Sequence, residues 1–369
     1  MQLNCGIVGL PNVGKSTLFS ALTSAPAEAA NYPFCTIEPN VGIVDVPDSR
    51  LYKIADHITT RKIVPASVEF VDIAGLVKGA SRGEGLGNQF LAHIRQVGAI
   101  VHVVRCFDDD NVIHVDGKID PVSDMETIGM ELAFADLETV EKRIENLARL
   151  LKSQDRNVSD TARKTQPVLD ILSEGLANGK PARSLGLTRD QRNLVQDLHL
   201  ITMKKQLYCC NVSDDDVLEE NDYVKAVKKF AQQDDSQVIV ISGKMEAEIS
   251  ELETPQEKME FLEAAGLSES GLDRLITAGY AMLGLETYFT AGEKEVKAWT
   301  FPKGAKAPQA AGVIHSDFER GFIRAETYHV SDLLEFTSEL KLREKGKLRL
   351  EGKEYTVNDG DVLHFRFNV

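Results

Sequence analysis

The sequence predicts an α/β protein built on a parallel sheet, with a helical insertion and a small β-rich domain at its C-terminal end. Nearly continuous apolar strands alternate with helical segments, which is typical of a parallel sheet covered on both faces. The chain has 369 residues, of which 43% are hydrophobic and 27% charged. This length and composition indicate a globular protein of two or three domains.

The first predicted domain is split in sequence. Its first helix is expected at residues 16–23, and strands are expected at residues 3–8, 67–73, 99–106, 208–212 and 237–241. A long gap separates the third of these strands from the fourth. We therefore assign residues 1–128 and 201–285 to one domain.

The gap, residues 129–200, is predicted to be a helical, coiled-coil-like insertion. Apolar residues recur at steps of three and four across residues 137–151, which places them on one face of a helix. Thr188 and Gln191 have the spacing of a capping box and predict a further helix that reaches Leu198. The alternative is that these helices pack along the main domain.

Residues 286–369 are predicted to form the β-rich domain. Val296, Ala298 and Thr300 alternate as in a strand, and residues 358–360 have the composition of a turn. One helix is expected near residues 331–343.

Composition excludes several classes of protein. No apolar run approaches the roughly 18 residues that span a bilayer, and the N-terminal residues lack a signal-peptide pattern. The five cysteines lack CxxC spacing, so we expect reduced thiols in the cytoplasm and no zinc site. A membrane partner is not expected.

The net charge of −15 is confined to the first 287 residues, because the last 82 contain as many basic as acidic side chains. A net acidic protein repels nucleic acid at long range, so DNA is not an expected partner and RNA contact requires a local patch. The densest basic segment is residues 341–349. It permits contact with RNA, although a solvated helix end and strand face would have the same composition.

Residues 9–16 read GLPNVGKS and match G-x-x-x-x-G-K-[ST] between a strand and a helix, the context of a P-loop. Backbone amides of such a loop surround phosphate oxygens, its Lys reaches the β and γ phosphates, and its Ser binds Mg²⁺. The residues expected to bind nucleotide here are Asn12, Val13, Gly14, Lys15, Ser16 and Thr17.

A second motif, Asp72-Ile73-Ala74-Gly75, follows the strand residues 67–71. Asp72 would lie near the phosphates and hold Mg²⁺ through water, and the Gly75 amide would approach the γ phosphate. Thr36, in the loop between the two motifs, is expected to complete the Mg²⁺ ligands. It could also be an ordinary loop hydroxyl.

Asn211-Val212-Ser213-Asp214 ends a strand where GTPases have N-K-x-D, and Ser242-Gly243-Lys244 ends the next strand like their S-A-K loop. These residues are the predicted base site. In N-K-x-D the Asp accepts two hydrogen bonds from guanine and the Lys stacks along the base. Val212 replaces that Lys, so guanine recognition is weakened.

Three longer segments resemble one family, the YchF or Obg-like ATPases. They are NYPFCTIEPN at 31–40, DIAGLVKGASRGEGLGNQF at 72–90 and APQAAGVIHSDFERGFIR at 307–324. The resemblance extends nearly end to end. It implies a P-loop NTPase G domain with a helical insertion, a C-terminal TGS domain of β-grasp type, and Mg²⁺-dependent ATP hydrolysis.

The resemblance also implies association with the ribosome or ribosomal RNA through the TGS domain and the helical insertion. Arg320, Arg324 and residues 341–349 are the candidate contacts. The base motif departs from the family, where it commonly ends in Glu, because Asp214 is the residue that guanine recognition uses. We expect ATP to be preferred over GTP, with an Obg-type GTPase switch as the alternative. A third possibility is a scaffold that holds nucleotide without hydrolysing it.

Hydrolysis is expected to be slow. Leu76 occupies the position of the water-orienting Gln of Ras-like enzymes, and an apolar side chain cannot orient water. Catalysis would then depend on Lys15, Mg²⁺ and backbone amides. His114 is a candidate for a group delivered on activation, although a structural role is as compatible with its loop position. Asn12 suggests K⁺ as a second cation.

Overall fold

The computed structural model describes residues 3–24, 40–73, 86–109 and 119–368, and for residues 86–89 it describes the backbone alone. In these ranges the strands are β1 (Asn4–Val8), β2 (Val41–Asp45), β3 (Ile63–Val64), β4 (Ser67–Asp72), β5 (Ala99–Arg105), β6 (Gln206–Asn211), β7 (Gln237–Ile241), β8 (Leu285–Ala291), β9 (Val296–Pro302), β10 (Phe322–His329), β11 (Arg349–Glu351) and β12 (Asp361–Phe367).

The helices are α1 (Lys15–Thr23), α2 (Ser49–His57), α3 (Leu86–Arg95), α4 (Pro121–Leu150), α5 (Arg156–Ala177), α6 (Arg189–Leu194), α7 (Asp222–Ala231), α8 (Gly243–Glu251), α9 (Pro255–Ala264), α10 (Gly271–Met282), α11 (Ala307–Ile314), α12 (Ser316–Arg320), α13 (Val330–Phe336) and α14 (Glu339–Glu344). Among the described residues, none of these helices combines the length and the hydrophobicity that crossing a bilayer requires.

The main sheet has the strand order β2-β4-β1-β5-β6-β7, and β4, β1, β5, β6 and β7 are joined by parallel ladders. Every residue of β5 and β6 is buried, as expected for central strands covered by helices on both faces. The predicted α/β fold with a parallel sheet is confirmed. All carboxyl ends of these strands lie along one edge, which is where such sheets bind ligands.

The insertion is formed by α4 and α5 with the turns that follow them. Val140 and Leu147 of the predicted apolar face are buried in a core shared with α5, and Leu137, Ile144 and Leu151 pack against it. Because one face of α4 is buried against α5, apolar residues recur there at steps of three and four.

Two helix boundaries in the insertion differ from the predictions. The insertion was predicted to begin at residue 129, but its first helix, α4, begins at Pro121. Asp120 caps this helix by accepting from the Ser123 amide. The predicted capping box of Thr188 and Gln191 is present, but the helix that it starts ends at Leu194. Residues 196–198 form a separate 3-10 turn, so the prediction that one helix reaches Leu198 is wrong.

The second sheet has the order β11-β10-β12-β8-β9-β3. Its core is rich in aromatic residues and includes Tyr288, Phe301 and Phe322. The helix expected near residues 331–343 is two helices, α13 and α14. Thr337 ends α13 in the left-handed conformation at φ 64°, and such a residue cannot continue a right-handed helix.

The chain divides into two compact units. Of the described residues, the first unit contains 3–24, 40–42 and those within 69–275, and the second contains 43–68 and 276–368. This differs from the sequence-based division, which assigned residues 43–68 to the first domain. Arg50 explains the difference, since its guanidinium contacts both carboxylate oxygens of Asp359 at 2.6 and 3.2 Å. In addition, β3 pairs with β9 in the second sheet.

Candidate nucleotide-binding site

The P-loop connects β1 to α1 with two residues in the left-handed region, Asn12 at φ 63° and Gly14 at φ 88°. The start of α1 has no side-chain cap and no acidic residue in its first turn. Its first amides are therefore left for another acceptor, and together with the helix dipole they favour an anion. Ser16 and Thr17, at the beginning of the helix, are exposed.

The two phosphate motifs meet in the structure. The ammonium of Lys15 forms an ion pair with Oδ1 of Asp72, 57 residues further along the chain. β1 and β4 are neighbouring parallel strands, and the register places Ile7 opposite Asp72. Because both strands end at the same edge of the sheet, the two side chains meet there.

Asn211, at the end of β6, connects three loops at the same edge. Its Nδ2 donates to the carbonyl of Val13 at 2.9 Å, and its Oδ1 accepts from the amide of Gly243 at 2.8 Å. The side chain is buried, so both hydrogen bonds are shielded from water. Asn211 thus fixes the P-loop relative to the start of α8.

Both oxygens of the Asp214 carboxylate have partners. Oδ1 accepts from the Ser242 hydroxyl at 2.5 Å, and Oδ2 accepts from the Lys244 ammonium at 2.9 Å. Partial burial raises the pKa of Asp214, but these two hydrogen bonds and the Lys244 charge outweigh it, so the pKa lies below its usual value. The group is a carboxylate at neutral pH, with both oxygens engaged by the chain itself.

The side chain of Val212 does not face the base site. It is 3% exposed and lies in an apolar cluster with Val104, Tyr208 and Val224. Only its backbone is placed at the edge of the sheet, where its amide donates to the carbonyl of Ile241 at 2.9 Å. An apolar residue in this position of the motif is explained by the core that it fills.

Two charged residues at this edge were missed as candidates. Lys244 was read only as part of a loop motif, and its role depends on Asp214 being opposite. Arg105 ends β5, which is apolar apart from His102, and it is buried, with Nε donating to the carbonyl of Phe107 at 3.1 Å and its guanidinium over the Phe107 ring. An arginine at the carboxyl end of a mostly apolar strand was the available signal.

Four residues of the sequence-based proposal, Thr36, Gly75, Leu76 and His114, lie outside the described residues. Within the described ranges, no group of three or more His, Cys, Asp or Glu side chains is placed to hold a metal ion. The exposed Ser16 hydroxyl and the Asp72 carboxylate are hard oxygen donors at one edge. Such a pair fits Mg²⁺, which uses few protein ligands and takes the others from phosphate and water.

We expect Gly14→Ala to lower the free energy of unfolding by at least about 2 kcal/mol. The left-handed conformation costs a non-glycine residue about 1–2 kcal/mol, and the added Cβ would overlap Nδ2 of Asn211. Urea unfolding measures the change. Gly292→Ala is the control, because a Cβ there meets no atom within 4 Å.

The overlap with Asn211 has its own signature in a double-mutant cycle. Asn211→Ala removes the atom with which the new Cβ would collide, so the double variant should be more stable than the sum of the two single effects predicts. Strict additivity would show that Asn211 does not limit the space at Gly14.

Comparison with known protein families gives two matches. Residues 4–135 match the model described as a 50S ribosome-binding GTPase. Residues 285–368 match the model YchF-GTPase_C, whose description is a protein of unknown function. The first match contains the P-loop and Asp72, and the second contains the C-terminal sheet apart from β3.

Whole-chain relatives agree with both matches. The chain is 58% identical to the ribosome-binding ATPase YchF of Bacillus subtilis and 51% identical to that of Escherichia coli O157:H7, with 100% of each chain covered. The structure of the Schizosaccharomyces pombe YchF GTPase matches with a TM-score of 0.89 at 38% identity, covering 99% of this chain and 98% of that one. On sequence and fold together, this chain belongs to the YchF family.

Proposed function

We propose that this protein is a Mg²⁺-dependent P-loop ATPase that hydrolyses ATP to ADP and phosphate slowly and acts as a ribosome-associated nucleotide switch. The observation that carries the choice of ATP is the Asp214 carboxylate, whose two oxygens are engaged by Ser242 and Lys244. The relatives named ribosome-binding ATPase support the same choice.

Guanine recognition needs a carboxylate that accepts from two N–H groups of the base. In this chain that use of Asp214 would first require the loss of the hydrogen bonds from Ser242 and Lys244. Adenine presents an acceptor at its ring N1 and makes no comparable demand on a carboxylate. Val212 adds to the preference, because its buried side chain cannot stack along a base as the Lys of N-K-x-D does.

The triphosphate would be held by the P-loop and the start of α1. Amides of residues 12–17 and of Gly75 would donate to phosphate oxygens, and Lys15 would leave Asp72 to reach the β and γ phosphates. Mg²⁺ would be held by Ser16, Thr36 and Asp72, and when bound it would neutralise charge on the phosphates. The ion pair of Lys15 with Asp72 supports this proposal, because the two groups lie next to each other at the end of the P-loop.

The alternative is an Obg-type GTPase with guanine preference. Asp214 supports it, since a carboxylate in this position is the residue that reads guanine. The two functions predict different relative affinities for ATP and GTP. Titration with each nucleotide therefore distinguishes them.

We expect wild-type protein, freed of nucleotide and supplied with Mg²⁺, to bind ATP more tightly than GTP. Lys244→Met should raise the GTP affinity relative to ATP by about tenfold, because a charge-assisted hydrogen bond is worth about 1.5–3 kcal/mol and its loss frees Oδ2. Calorimetric titration of each nucleotide measures the ratio. Lys225→Met, which removes an exposed lysine from α7, is the control.

Tighter binding of GTP by the wild type would overturn the ATP assignment and favour the GTPase alternative. An unchanged ratio in Lys244→Met would show that Asp214 does not read the base. Asp214→Glu is a second test of whether Asp214 reads the base. Glu is common at this position in the family, so this variant should keep the ATP preference.

Lys15 should be the main catalytic residue of the chain. Lys15→Met is expected to lower turnover at least about a hundredfold, as removal of a group that stabilises transition-state charge does. The steady-state release of phosphate measures it, with Lys225→Met as the control. Nucleotide held by wild-type protein without any hydrolysis, with or without ribosomes, would favour the scaffold instead.

Two further groups are proposed to assist hydrolysis. Asn12 would hold K⁺ beside the phosphates, so turnover in K⁺ should exceed turnover in Na⁺, and equal rates would exclude this role.

His114 is the second group, and it would act only in the activated state. A ribosome-stimulated rate that is unchanged in His114→Ala would remove it from the mechanism.

Ribosome association would use the predicted TGS domain, residues 286–369, together with the helical insertion. Several of the candidate cations there are already paired with acids, namely Arg320 with Asp317, Arg343 with Glu326, Lys347 with Asp332 and Arg349 with Glu351. Among the described residues, Arg324, Lys341 and Lys345 are the candidates without a carboxylate within 4 Å. They are therefore the cations best able to contact phosphate. A ribosome-bound role implies a cytoplasmic protein.

Replacing Arg324, Lys341 and Lys345 together by Gln should weaken ribosome binding by about tenfold at physiological salt and reduce its salt dependence, because fewer counterions are released. Co-sedimentation at several salt concentrations measures both. Gln at Lys225, Lys228 and Lys229 of α7 makes the same change in net charge. Equal weakening by the two triple variants would indicate a general charge effect and no specific patch.

A further inference from the structure

A cavity of about 780 Å³ lies in the first unit, away from the nucleotide site. Its walls come from α4, the end of α5 and the following turns, the first half of β6, and the end of α7. Gln206 and Tyr208 line it, whereas the nucleotide site begins at Asn211, the last residue of the same strand. At about 3.3 Å per residue, Gln206 is about 16 Å from that end of the strand.

Asp234, a residue of the cavity wall, has a buried polar atom without a hydrogen-bond partner. Arg183 directs Nε, at 3.0 Å, and Nη2 to the same oxygen of Asp234, Oδ2. The other oxygen, Oδ1, is buried and unpartnered, and the Asp234 side chain is only 8% exposed. A buried carboxylate oxygen without a donor is costly. Because Oδ1 is itself covered, a ligand would reach it after the Asp234 side chain changes its rotamer about the Cα–Cβ bond.

The remaining walls indicate what such a ligand looks like. Tyr208 and Phe230, with their rings edge to face at 6.2 Å, and the thioether of Met125 suit an aromatic body. The charged lining residues balance, two acids (Glu126 and Asp234) against two bases (Lys180 and Arg183). The volume is that of a typical small-molecule site.

We propose that this cavity binds a neutral, planar aromatic small molecule that donates one hydrogen bond, from a ring N–H or a hydroxyl, to the carboxylate of Asp234. The donor would satisfy the oxygen that Arg183 leaves unpartnered. The ligand would contact the helical insertion through α4 and the main sheet through β6. This site does not depend on the identity of the nucleotide or on the proposed ATPase activity.

Gly129 allows the location to be tested without disturbing the fold. It lines the cavity from α4, and a Cβ added there meets no atom within 4 Å. Gly129 lies inside α4, and its φ is not in the left-handed region, so the backbone can accept a residue with a side chain. Ala and Leu are both good helix formers and are therefore suitable replacements. Leu at 129 would extend into the cavity, whereas Ala would leave most of it open.

The probe is 5-fluoroindole, an aromatic ring with one N–H donor, observed by ¹⁹F NMR on the full-length protein. Binding is expected for the wild type and for Gly129→Ala, and it should be at least tenfold weaker for Gly129→Leu. 5-Fluoro-1-methylindole lacks the donor and should bind at least tenfold more weakly than 5-fluoroindole. Melting temperatures of the two Gly129 variants confirm that they fold.

Four results would overturn the proposal. They are no binding of 5-fluoroindole at millimolar concentration, equal binding by Gly129→Leu and the wild type, equal binding of the two indoles, and displacement of the probe by Mg²⁺ and ATP. The last result would place the probe in the nucleotide site. Because these readouts involve no hydrolysis, they are independent of the tests of the proposed function.

Discussion

The hydrogen bonds of Asn211 are the constraint on which the nucleotide site depends. One carboxamide, buried at the end of a central strand, bonds to the P-loop at Val13 and to the start of α8 at Gly243. The glycine at position 14 is required by the same contact, because no Cβ fits beside the Asn211 amide. The phosphate loop and the base loop are thus held at a fixed separation by one side chain that need not contact the ligand.

The first unit uses its parallel sheet to gather residues that are distant in sequence. Lys15 and Asp72 follow neighbouring strands and form an ion pair, and Asp214 and Ser242 follow two others and form a hydrogen bond. Each pair arises because parallel strands present their carboxyl ends to the same edge. The helical insertion interrupts this domain between β5 and β6 without disturbing the ladder that joins those strands.

α2 and β3 lie between the two phosphate motifs in sequence, yet they pack with the C-terminal sheet. Arg50 reaches Asp359, whose Oδ1 also accepts from the Thr287 amide at 2.9 Å, so one carboxylate joins three segments of the second unit. Burial raises the pKa of Asp359, but the Arg50 hydrogen bonds outweigh it and the pKa lies below its usual value. The carboxylate therefore stabilises the folded state above its ordinary pKa, and this contribution declines as the pH falls through the lowered value.

Residue spacing was enough to predict the local features of this protein. The strand–loop–helix of the P-loop, the apolar face at residues 137–151 and the capping box at Thr188 are encoded within a few turns of chain, so spacing alone predicts them. The end of α6 and the Thr337 turn that divides the last predicted helix are seen only in the folded chain. The structure also packs α2 and β3 with the C-terminal sheet, makes Val212 a core residue and gives Asp214 its partners. These last three features depend on contacts between residues far apart in sequence, and no local pattern records them.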